Sequence, residues 1–210
     1  EWGLRTGFLF YDAIPLLRAE YKSISAAHAE YMRQLFLADC VWPITQWSAD
    51  SLSGFWHREL LADAASMPPV VVIRLPGTGL ADGRPPNHPR ASELLPPTIL
   101  CVGSIEPRKQ QFELAAWFIN YKLRHPGSPW QLKFVGNINR ENREAFQRLL
   151  ASESSLHFLK AASDEQLCQS YLESAFTVFP SVEEGFGLPI VESLAFGKPC
   201  VCANFGAMGE

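Results

Sequence analysis

The chain of 210 residues is 47% hydrophobic, which is ample for one large buried core or two smaller ones. Its formal net charge of -4 and its scattered 18 Lys and Arg residues offer no broad basic surface, so the composition argues against nucleic acid as a partner. Apolar runs stay short of the ~20 residues that a membrane-spanning helix needs, and the N-terminus lacks a signal-peptide pattern. We therefore expect a soluble, globular segment.

Short apolar runs alternate with helical patterns in the first part of the chain, as in parallel strands connected by crossover helices. The predicted strands are 6–11, 40–45 and 70–75, and the predicted helices are 25–37 and 48–61. Ser25 and Ser48 are expected to cap these helices by accepting hydrogen bonds from free backbone N–H groups. Pro43 has no N–H group and is unfavourable inside the second strand.

A segment rich in proline and glycine separates this part from the next. Residues 76–97 contain six prolines and three glycines and lack periodic apolar positions, which predicts a linker. The alternation of strands and helices begins again at Thr98 and indicates a second domain. The predicted division is 1–77 for the C-terminal part of a first domain, 78–97 for the linker and 98–210 for a second domain.

The second domain is predicted to contain at least five strands. The strands are 98–102, 132–135, 156–159, 176–180 and 200–203, and the helices are about 112–123, 143–152, 163–174 and 189–196. Ala115 and Leu123 fall on one face of the first helix, and Ser163 with Gln166 forms a capping box at the third. Handedness rules favour a doubly wound parallel sheet, with its ligand crevice at the C-terminal strand ends.

The cysteines and aromatic residues are predicted to be core residues. The five cysteines form no Cys-x-x-Cys pair, and four of them lie in runs that resemble strands. We expect buried free thiols, as in a reducing cytosol, and neither disulfides nor a zinc site. Trp117 and Phe118 are likewise predicted to pack in the core.

Loops that follow the strands of an open parallel sheet carry function, which singles out the loops after Val102 and Pro180. The first loop, GSIEPRKQ at 103–110, places Arg108 and Lys109 ahead of a helix N-terminus, where the helix dipole disfavours positive charge. A bound diphosphate would explain both cations. A solvated surface pair, bridged to Glu106, is the alternative.

The second loop, SVEEGFGLPIVE at 181–192, has two glycines around one aromatic residue. Gly185 and Gly187 permit a tight turn whose amides approach a ligand at the start of the following helix. Glu192, expected on the first turn of that helix, can accept hydrogen bonds from both hydroxyls of a ribose. The helix dipole by itself also favours a glutamate at that place.

Two adjacent glutamates precede the glycine turn. Glu183 and Glu184 repel each other unless they meet solvent, a cation or a hydroxyl-rich ligand. We expect Glu183 to be solvated and Glu184 to contact a sugar hydroxyl or Lys109.

These motifs resemble the retaining glycosyltransferases with two Rossmann-like domains, the GT-B kind, and in particular family 4, called group 1. The resemblance rests on Glu184 and Glu192, with seven residues between them, in EGFGLPIVE after the strand end VFPS. Further matching segments are VGSIEPRK at 102–109, SDEQL at 163–167, AFGKP at 195–199 and FYDAIPL at 10–16. The resemblance implies an α/β fold of two Rossmann-like, doubly wound parallel-sheet domains, both truncated in this chain.

The resemblance also implies that the second domain holds a nucleotide-sugar donor. Lys109 would contact the diphosphate with help from Arg108, and Glu192 would bind the ribose. The implied catalytic residues are Lys109, Arg108 and Glu184. The implied donor-binding residues are Gly103, Ser104, Glu184, Gly185, Phe186, Gly187, Leu188 and Glu192. Tyr11 and Asp12 would lie on the acceptor side.

Two positions depart from the family pattern. Many relatives have arginine where this chain has Ser104, and Arg108 is the candidate substitute. Many also have histidine where this chain has Tyr11, so the role of that histidine near the sugar is not carried over.

Glycosyl transfer breaks the bond between the anomeric carbon and a diphosphate, so negative charge develops on the leaving group. The sequence has no Asp-x-Asp pair to present a metal, and we expect no metal or other cofactor. Lys109, Arg108 and the helix near Pro189 would stabilise the diphosphate instead. The resemblance implies transfer of a hexosyl group to a glycan or lipid-linked saccharide with retained configuration. Relatives with the Glu-Pro-Arg-Lys loop often look like mannosyltransferases, which suggests GDP-mannose as the donor.

The predicted location is the cytoplasm, and a lipid-linked acceptor would bring the enzyme to the inner membrane face as a peripheral protein. Two other functions fit parts of the pattern. A retaining glycosidase also uses two carboxylates, roughly 5 to 5.5 Å apart, but has no use for a cationic phosphate loop. A nucleotide-sugar-binding module without turnover is the second alternative, because elements of both domains are expected to be missing.

Overall fold

The computed structural model of the protein describes residues 3–76 and 96–210, which form two compact units. The first unit comprises the described residues up to Leu75 together with Glu183–Gly187 and Asn204–Glu210. The second comprises the described residues from Pro76 to Val182 together with Leu188–Ala203. The predicted linker lies almost entirely outside the described residues, and the domain boundaries stay a prediction. Within the described ranges, no helix is long and apolar enough to cross a bilayer.

The first unit is built on a pair of parallel strands. Its strands are β1 (Gly7–Phe10) and β2 (Cys40–Pro43), and its α-helices are α1 (Ile14–Leu17), α2 (Lys22–Gln34) and α3 (Gln46–Leu60). Phe10, Met32 and Trp56 are fully buried in its core. The indole Nε1 of Trp56 donates a hydrogen bond of 2.6 Å to the Met32 carbonyl, so the largest core side chain also satisfies its polar atom.

The third predicted strand of this unit is reduced to a single parallel bridge between Val41 and Val70. The N–H groups of Val71 and Ile73 donate to the carbonyls of Val41 and Pro43, over 2.9 and 2.8 Å. The bond that would lie between these two needs an N–H group at Pro43, which proline lacks. Pro43 is therefore accommodated in β2, but it interrupts the ladder to the neighbouring segment, and the prediction of a strand over 70–75 is wrong beyond the bridge at Val70.

The two serines predicted to cap helices of the first unit do not cap them. Thr45 caps α3, because its backbone is extended and its hydroxyl accepts a hydrogen bond of 3.1 Å from the Ser48 N–H group. Ser48 is thus the third residue of α3. Ser25 lies inside α2, which begins at Lys22 directly after a short 3-10 turn.

The second unit is a five-stranded parallel sheet with helical crossover connections. Its strands are β3 (Thr98–Val102), β4 (Gln131–Gly136), β5 (Leu156–Lys160), β6 (Phe176–Phe179) and β7 (Cys200–Cys202). Its α-helices are α4 (Gln111–Arg124), α5 (Arg140–Ser152), α6 (Asp164–Glu173) and α7 (Leu188–Ala195). The strand order is β5-β4-β3-β6-β7, and every adjacent pair is parallel. The predicted α/β class with a doubly wound parallel sheet is confirmed.

The direction in which the sheet grows reverses at β3. The chain adds β4 and β5 on one side of β3, and then adds β6 and β7 on the other side. Open α/β sheets bind ligands at such a switch point, beyond the carboxyl ends of the strands. The loops after β3 and β6 both begin there, and they are the two loops that the sequence singled out.

The helix ends of the second unit agree with the sequence where the capping signal is strong. The capping box of Ser163 and Gln166 opens α6 as predicted, with both reciprocal hydrogen bonds present. Asn139 caps α5 by accepting from the Asn142 N–H group, so this helix begins three residues before the predicted Arg143.

Two apolar side chains of α4 are exposed, contrary to prediction. Leu123 is 74% exposed and Trp117 is 52% exposed, because the buried face carries Gln111, Ala115 and Phe118. Trp117 follows Ala115 by two residues and therefore points about 200° away around the helix axis. Its ring stacks on Tyr121, one turn further along, with the ring centroids 5.8 Å apart.

All five cysteines are free, as predicted, but only Cys101 is buried. Cys40, Cys200 and Cys202 lie in strands, where one face of the strand keeps them partly accessible. Burial raises the pKa of the Cys101 thiol to about 12, and the nearby charge of Lys109 opposes this shift only in part. Cys101 is therefore a protonated core residue of β3.

Gly136 provides the first test of the packing at the switch point. A Cβ atom at Gly136 would lie 2.1 Å from the Gly103 carbonyl oxygen and 3.1 Å from the Ser104 nitrogen. We expect Gly136→Ala to lower the free energy of unfolding by about 1–3 kcal/mol, because the ends of β3 and β4 must move apart. Denaturant unfolding measures this change.

Gly127→Ala is the matched control, since nothing lies within 4 Å of a Cβ atom at that exposed glycine. This variant should change the free energy of unfolding by less than about 0.5 kcal/mol. Equal stabilities of the two variants would contradict the close approach of the two strand ends.

Candidate functional site

The loop after β3 is closed by the side chain of Gln111. Pro107–Lys109 form a 3-10 turn, and Gln110 takes a left-handed conformation with a φ of 54° before α4 begins. The buried Gln111 amide donates 2.8 Å from Nε2 to the Ser104 carbonyl and accepts 3.3 Å from the Glu106 N–H group. Gln111 was not among the predicted site residues, although its position on the buried face of α4 marks it as a polar group in need of partners.

Lys109 lies over Gly103 at the carboxyl end of β3. The Nζ and Cδ atoms of Lys109 are 3.1 and 3.3 Å from the place that a Cβ atom at Gly103 would occupy. A side chain at Gly103 would therefore displace the lysine, and the φ of +142° at Gly103 also disfavours any other residue. The ammonium group is thereby held at the sheet edge where a switch-point ligand binds.

Arg108 is held by Glu106 in the same loop. Its Nε atom lies 3.1 Å from Glu106 Oε2, and the Arg108 side chain is only 12% exposed. The other carboxylate oxygen of Glu106 accepts a hydrogen bond from the Ser104 hydroxyl. The alternative prediction was a solvated pair of cations bridged to Glu106. The bridge is present for Arg108, but Arg108 and Glu106 are largely buried and not solvated. The two cations therefore differ, because a carboxylate already offsets the charge of Arg108.

The loops after β3 and β6 are joined by a backbone hydrogen bond. The Val182 N–H group donates to the Arg108 carbonyl over 2.9 Å. Next to it, Ser181 is 1% exposed, and its hydroxyl has no hydrogen-bond partner within the described parts of the chain. A buried hydroxyl without a partner costs about 1–3 kcal/mol, so it marks a place for a ligand or a bound water. The sequence places this serine at the end of the segment VFPS, but that pattern does not indicate that its hydroxyl lacks a partner.

Glu192 was predicted on the first turn of α7, but it lies on the second turn. The helix begins at Leu188, so Glu192 is its fifth residue, where the helix dipole gives a carboxylate little stabilisation. The hydroxyl of Tyr171 on α6 donates a hydrogen bond of 2.7 Å to Glu192 Oε2. Tyr171 is fully buried. It was not predicted as a site residue, because its contact with Glu192 joins residues that are 21 positions apart in the chain.

The glycine turn, Glu183–Gly187, belongs to the first unit. The Thr45 hydroxyl, which caps α3, donates 2.9 Å to the Gly185 carbonyl. A Cβ atom at Gly185 would lie 2.8 Å from the Tyr11 carbonyl oxygen and 3.0 Å from Asp12 Oδ2, so a side chain does not fit. The predicted acceptor-side residues, Tyr11 and Asp12, are thus brought against the predicted glycine turn.

Glu183 accepts a hydrogen bond in an exposed part of the first unit, and its role as the solvated member of the glutamate pair stays a prediction. The Trp47 indole Nε1 donates to Glu183 Oε1 over 2.9 Å, and Glu183 is half-buried. Glu184 and Phe186 are half-buried in the same turn, and Gly187 is buried. In the second unit, Leu188 begins α7 and is exposed.

Asp12 is fixed by the residues that follow it. Its Oδ1 atom accepts a hydrogen bond of 2.9 Å from the Ile14 N–H group, at the start of α1. His28 Nε2 lies 3.0 Å from the Asp12 carbonyl oxygen, which accepts from the Nε2–H tautomer. Tyr11 is exposed and leaves its phenol to solvent.

Comparisons with known proteins identify the family and the fold. A family model described as "Glycosyl transferases group 1" matches residues 96–210. The chain is 30% identical over 128 residues to O-antigen chain mannosyltransferase B of Escherichia coli, which covers 53% of this chain and 29% of that protein. This chain therefore spans less than a third of the length of that relative.

Two solved structures share the fold. The α,α-trehalose 6-phosphate synthase from Burkholderia multivorans superposes with a TM-score of 0.70 at 14% identity, covering 97% of this chain and 53% of that chain. The Anabaena protein HepE, solved in complex with UDP and glucose, gives a TM-score of 0.63 at 17% identity, covering 97% of this chain and 54% of that chain. At these identities the likeness concerns the fold alone.

The match to the family model takes in the whole described sheet of the second unit and both loops of its switch point. It extends over more than half of the chain, and the chain belongs to the glycosyl transferases group 1 family.

Proposed function

We propose that this protein transfers a hexosyl group from a nucleotide-diphosphate sugar to a glycan or lipid-linked saccharide, with retention of the anomeric configuration, as a family 4 enzyme. The observation that carries the proposal is the placement of Lys109 at the switch point of the second unit. There a cation lies over a glycine at the end of β3, beside two loops held together through Arg108 and Val182. This arrangement suits a diphosphate better than a neutral glycan.

In this proposal the diphosphate binds at the loop after β3. Lys109 provides the main counter-charge, and Gly103 and Ser104 bring the backbone close to the phosphates. Arg108 contributes less charge because of its contact with Glu106, and it acts chiefly by holding the loop. It also takes the place of the arginine that many relatives have at the position of Ser104.

The other predicted residues are assigned to binding the nucleoside and the sugar of the donor, and to the acceptor side. Glu192 accepts hydrogen bonds from the ribose hydroxyls, for which a carboxylate has enough acceptor positions. The residues assigned to the donor sugar or its phosphate are Glu184, Gly185, Phe186, Gly187 and Leu188. Tyr11 and Asp12 are assigned to the acceptor side.

The proposed reaction needs a stabilised leaving group. The bond between the anomeric carbon and the diphosphate oxygen breaks, the sugar becomes similar to an oxocarbenium ion, and negative charge develops on the diphosphate. The acceptor hydroxyl then bonds to the anomeric carbon on the face that the diphosphate leaves, and its proton passes to the departing diphosphate. Lys109, Arg108 and the N-terminus of α7 stabilise this charge, so we propose that no metal is needed.

Mannose is the proposed sugar. The similarity to the E. coli mannosyltransferase supports it, and GDP-mannose would then be the donor. HepE, in contrast, was solved with UDP and glucose, so the base has to be tested directly. Because nucleotide sugars are cytoplasmic metabolites, we propose a cytoplasmic reaction, at the inner membrane face if the acceptor is lipid-linked.

Nucleotide binding tests the donor site. We expect GDP, UDP or ADP to stabilise the protein against thermal unfolding in the presence of EDTA, by about 2.7 kcal/mol at 100 times the dissociation constant. Lys109→Ala and Glu192→Ala should each abolish most of this stabilisation. Lys160→Ala is the control, since Lys160 is an exposed lysine at the end of β5. No stabilisation by any of the three nucleotides, in a folded protein, would contradict the proposal.

A turnover assay distinguishes a glycosyltransferase from a module that only binds the nucleotide sugar. Release of nucleoside diphosphate from GDP-mannose or UDP-glucose, with an acceptor present, is expected in the wild type and should fall sharply in Lys109→Ala. Tight nucleotide binding without any turnover would instead favour a nucleotide-sugar-binding module.

Ser181 gives a test in which stability and affinity change in opposite directions. Ser181→Ala should raise the free energy of unfolding of the unliganded protein by about 1 kcal/mol, because it removes a buried hydroxyl without a partner. The same variant should bind nucleoside diphosphate more weakly if this hydroxyl receives its partner from the ligand. Denaturant unfolding and titration calorimetry measure the two changes.

Ser170→Ala is the matched control for Ser181. Ser170 is equally buried, but its hydroxyl donates 2.7 Å to the Gln166 carbonyl. Its removal should lower stability by up to about 1 kcal/mol and leave nucleotide affinity unchanged. A loss of stability in Ser181→Ala would show that its hydroxyl is already satisfied.

A further inference from the structure

We propose that Tyr171 is a positioning residue that presents the carboxylate of Glu192 to the ribose of the donor. The inference rests on the proposed nucleotide-sugar function and adds a residue to its nucleoside site. Tyr171 acts through Glu192 and is not itself a contact of the substrate.

The geometry fixes one carboxylate oxygen and leaves the other available. The Tyr171 hydroxyl donates 2.7 Å to Glu192 Oε2, which is the distance of a strong bond to an ionised acceptor. Glu192 is half-buried, whereas Tyr171 is completely buried, so the carboxylate is held from its protein side. The acceptor positions on Oε1 can then face the two hydroxyls of a ribose.

The Tyr171 ring cannot easily leave this position. It stacks on Phe196, with ring centroids 5.1 Å apart and an angle of 6° between the planes. Tyr171 is on α6 and Phe196 follows the last residue of α7, so the stack joins the helix that carries Glu192 to its neighbour. The direction of the hydroxyl is therefore set by core packing.

The Tyr171 hydroxyl remains the donor of this hydrogen bond at working pH. Burial raises the pKa of Tyr171, and the charge of Glu192 raises it further, so the phenol stays protonated and remains the donor. A glutamate side chain that is free to rotate loses rotamer entropy when a ligand fixes it. The bond from Tyr171 removes part of that loss before the ribose binds.

Tyr171→Phe tests the inference, since it removes the hydroxyl and keeps the ring stack. The probes are UDP and GDP and their 2′,3′-dideoxy counterparts, with affinities measured by titration calorimetry. We expect Tyr171→Phe to weaken binding of the ribonucleotide by about threefold to tenfold, the range of one modest hydrogen bond. Binding of the dideoxy nucleotide should not change, because that ligand has no diol for Glu192 to hold.

Two controls make the result specific. Tyr121→Phe also removes a tyrosine hydroxyl in the second unit, one that lies on α4 at 2.9 Å from Ser128 Oγ, and it should leave both affinities unchanged. In a Glu192→Gln background, Tyr171→Phe should add little further loss. Binding of the dideoxy nucleotide by the same variant is the measure of folding, because a poorly folded Tyr171→Phe protein would lose both ligands.

The outcomes distinguish this inference from the proposed function. If Tyr171→Phe binds the ribonucleotide like the wild type, or loses both ligands equally, the positioning role is overturned and donor binding stands. If the wild type binds ribo and dideoxy nucleotides equally, the ribose role of Glu192 is overturned, and the role of Tyr171 with it. If the wild type binds neither UDP nor GDP, the proposed function itself fails.

Discussion

The reversal of the sheet at β3 is the constraint on which the second unit depends. Because β6 returns to the side of β3 opposite to β4, the loops after β3 and β6 emerge side by side at the same sheet edge. The backbone bond between Val182 and Arg108 then ties them together, and the contact of Gly136 with Gly103 brings in the end of β4. A parallel sheet without this reversal would spread the same loops along its edge.

In each unit, several polar side chains serve mainly to hold the backbone. The Gln111 amide is hydrogen-bonded to the loop after β3, and the Glu106 carboxylate binds Arg108 and Ser104. Thr45 serves twice in the first unit, as the cap of α3 and as a donor to the glycine turn. Such residues fix the positions of neighbours that carry charge toward a ligand, and precise placement is what electrostatic stabilisation of a leaving group requires.

The contrast between Lys109 and Arg108 illustrates why residue type is a weak guide to role. Both cations stand next to each other in the sequence, and a phosphate would explain either of them. In the folded chain Arg108 is largely buried beside a carboxylate, whereas Lys109 extends over Gly103 to the end of β3. The difference follows from the 3-10 turn over Pro107–Lys109, in which consecutive side chains point about 120° apart.

The sequence by itself determined the class of the fold, because alternating apolar runs and capped helices depend on local periodicity and on short-range chemistry. It also identified both loops of the switch point, the capping box at Ser163, and the family. Only the tertiary structure decided the register of Pro43 with its neighbours, the second-turn position of Glu192 and the exposure of Trp117. It alone revealed Tyr171, Gln111 and Ser181, since the partners of a buried polar atom, or their absence, are set by packing between elements distant in the chain.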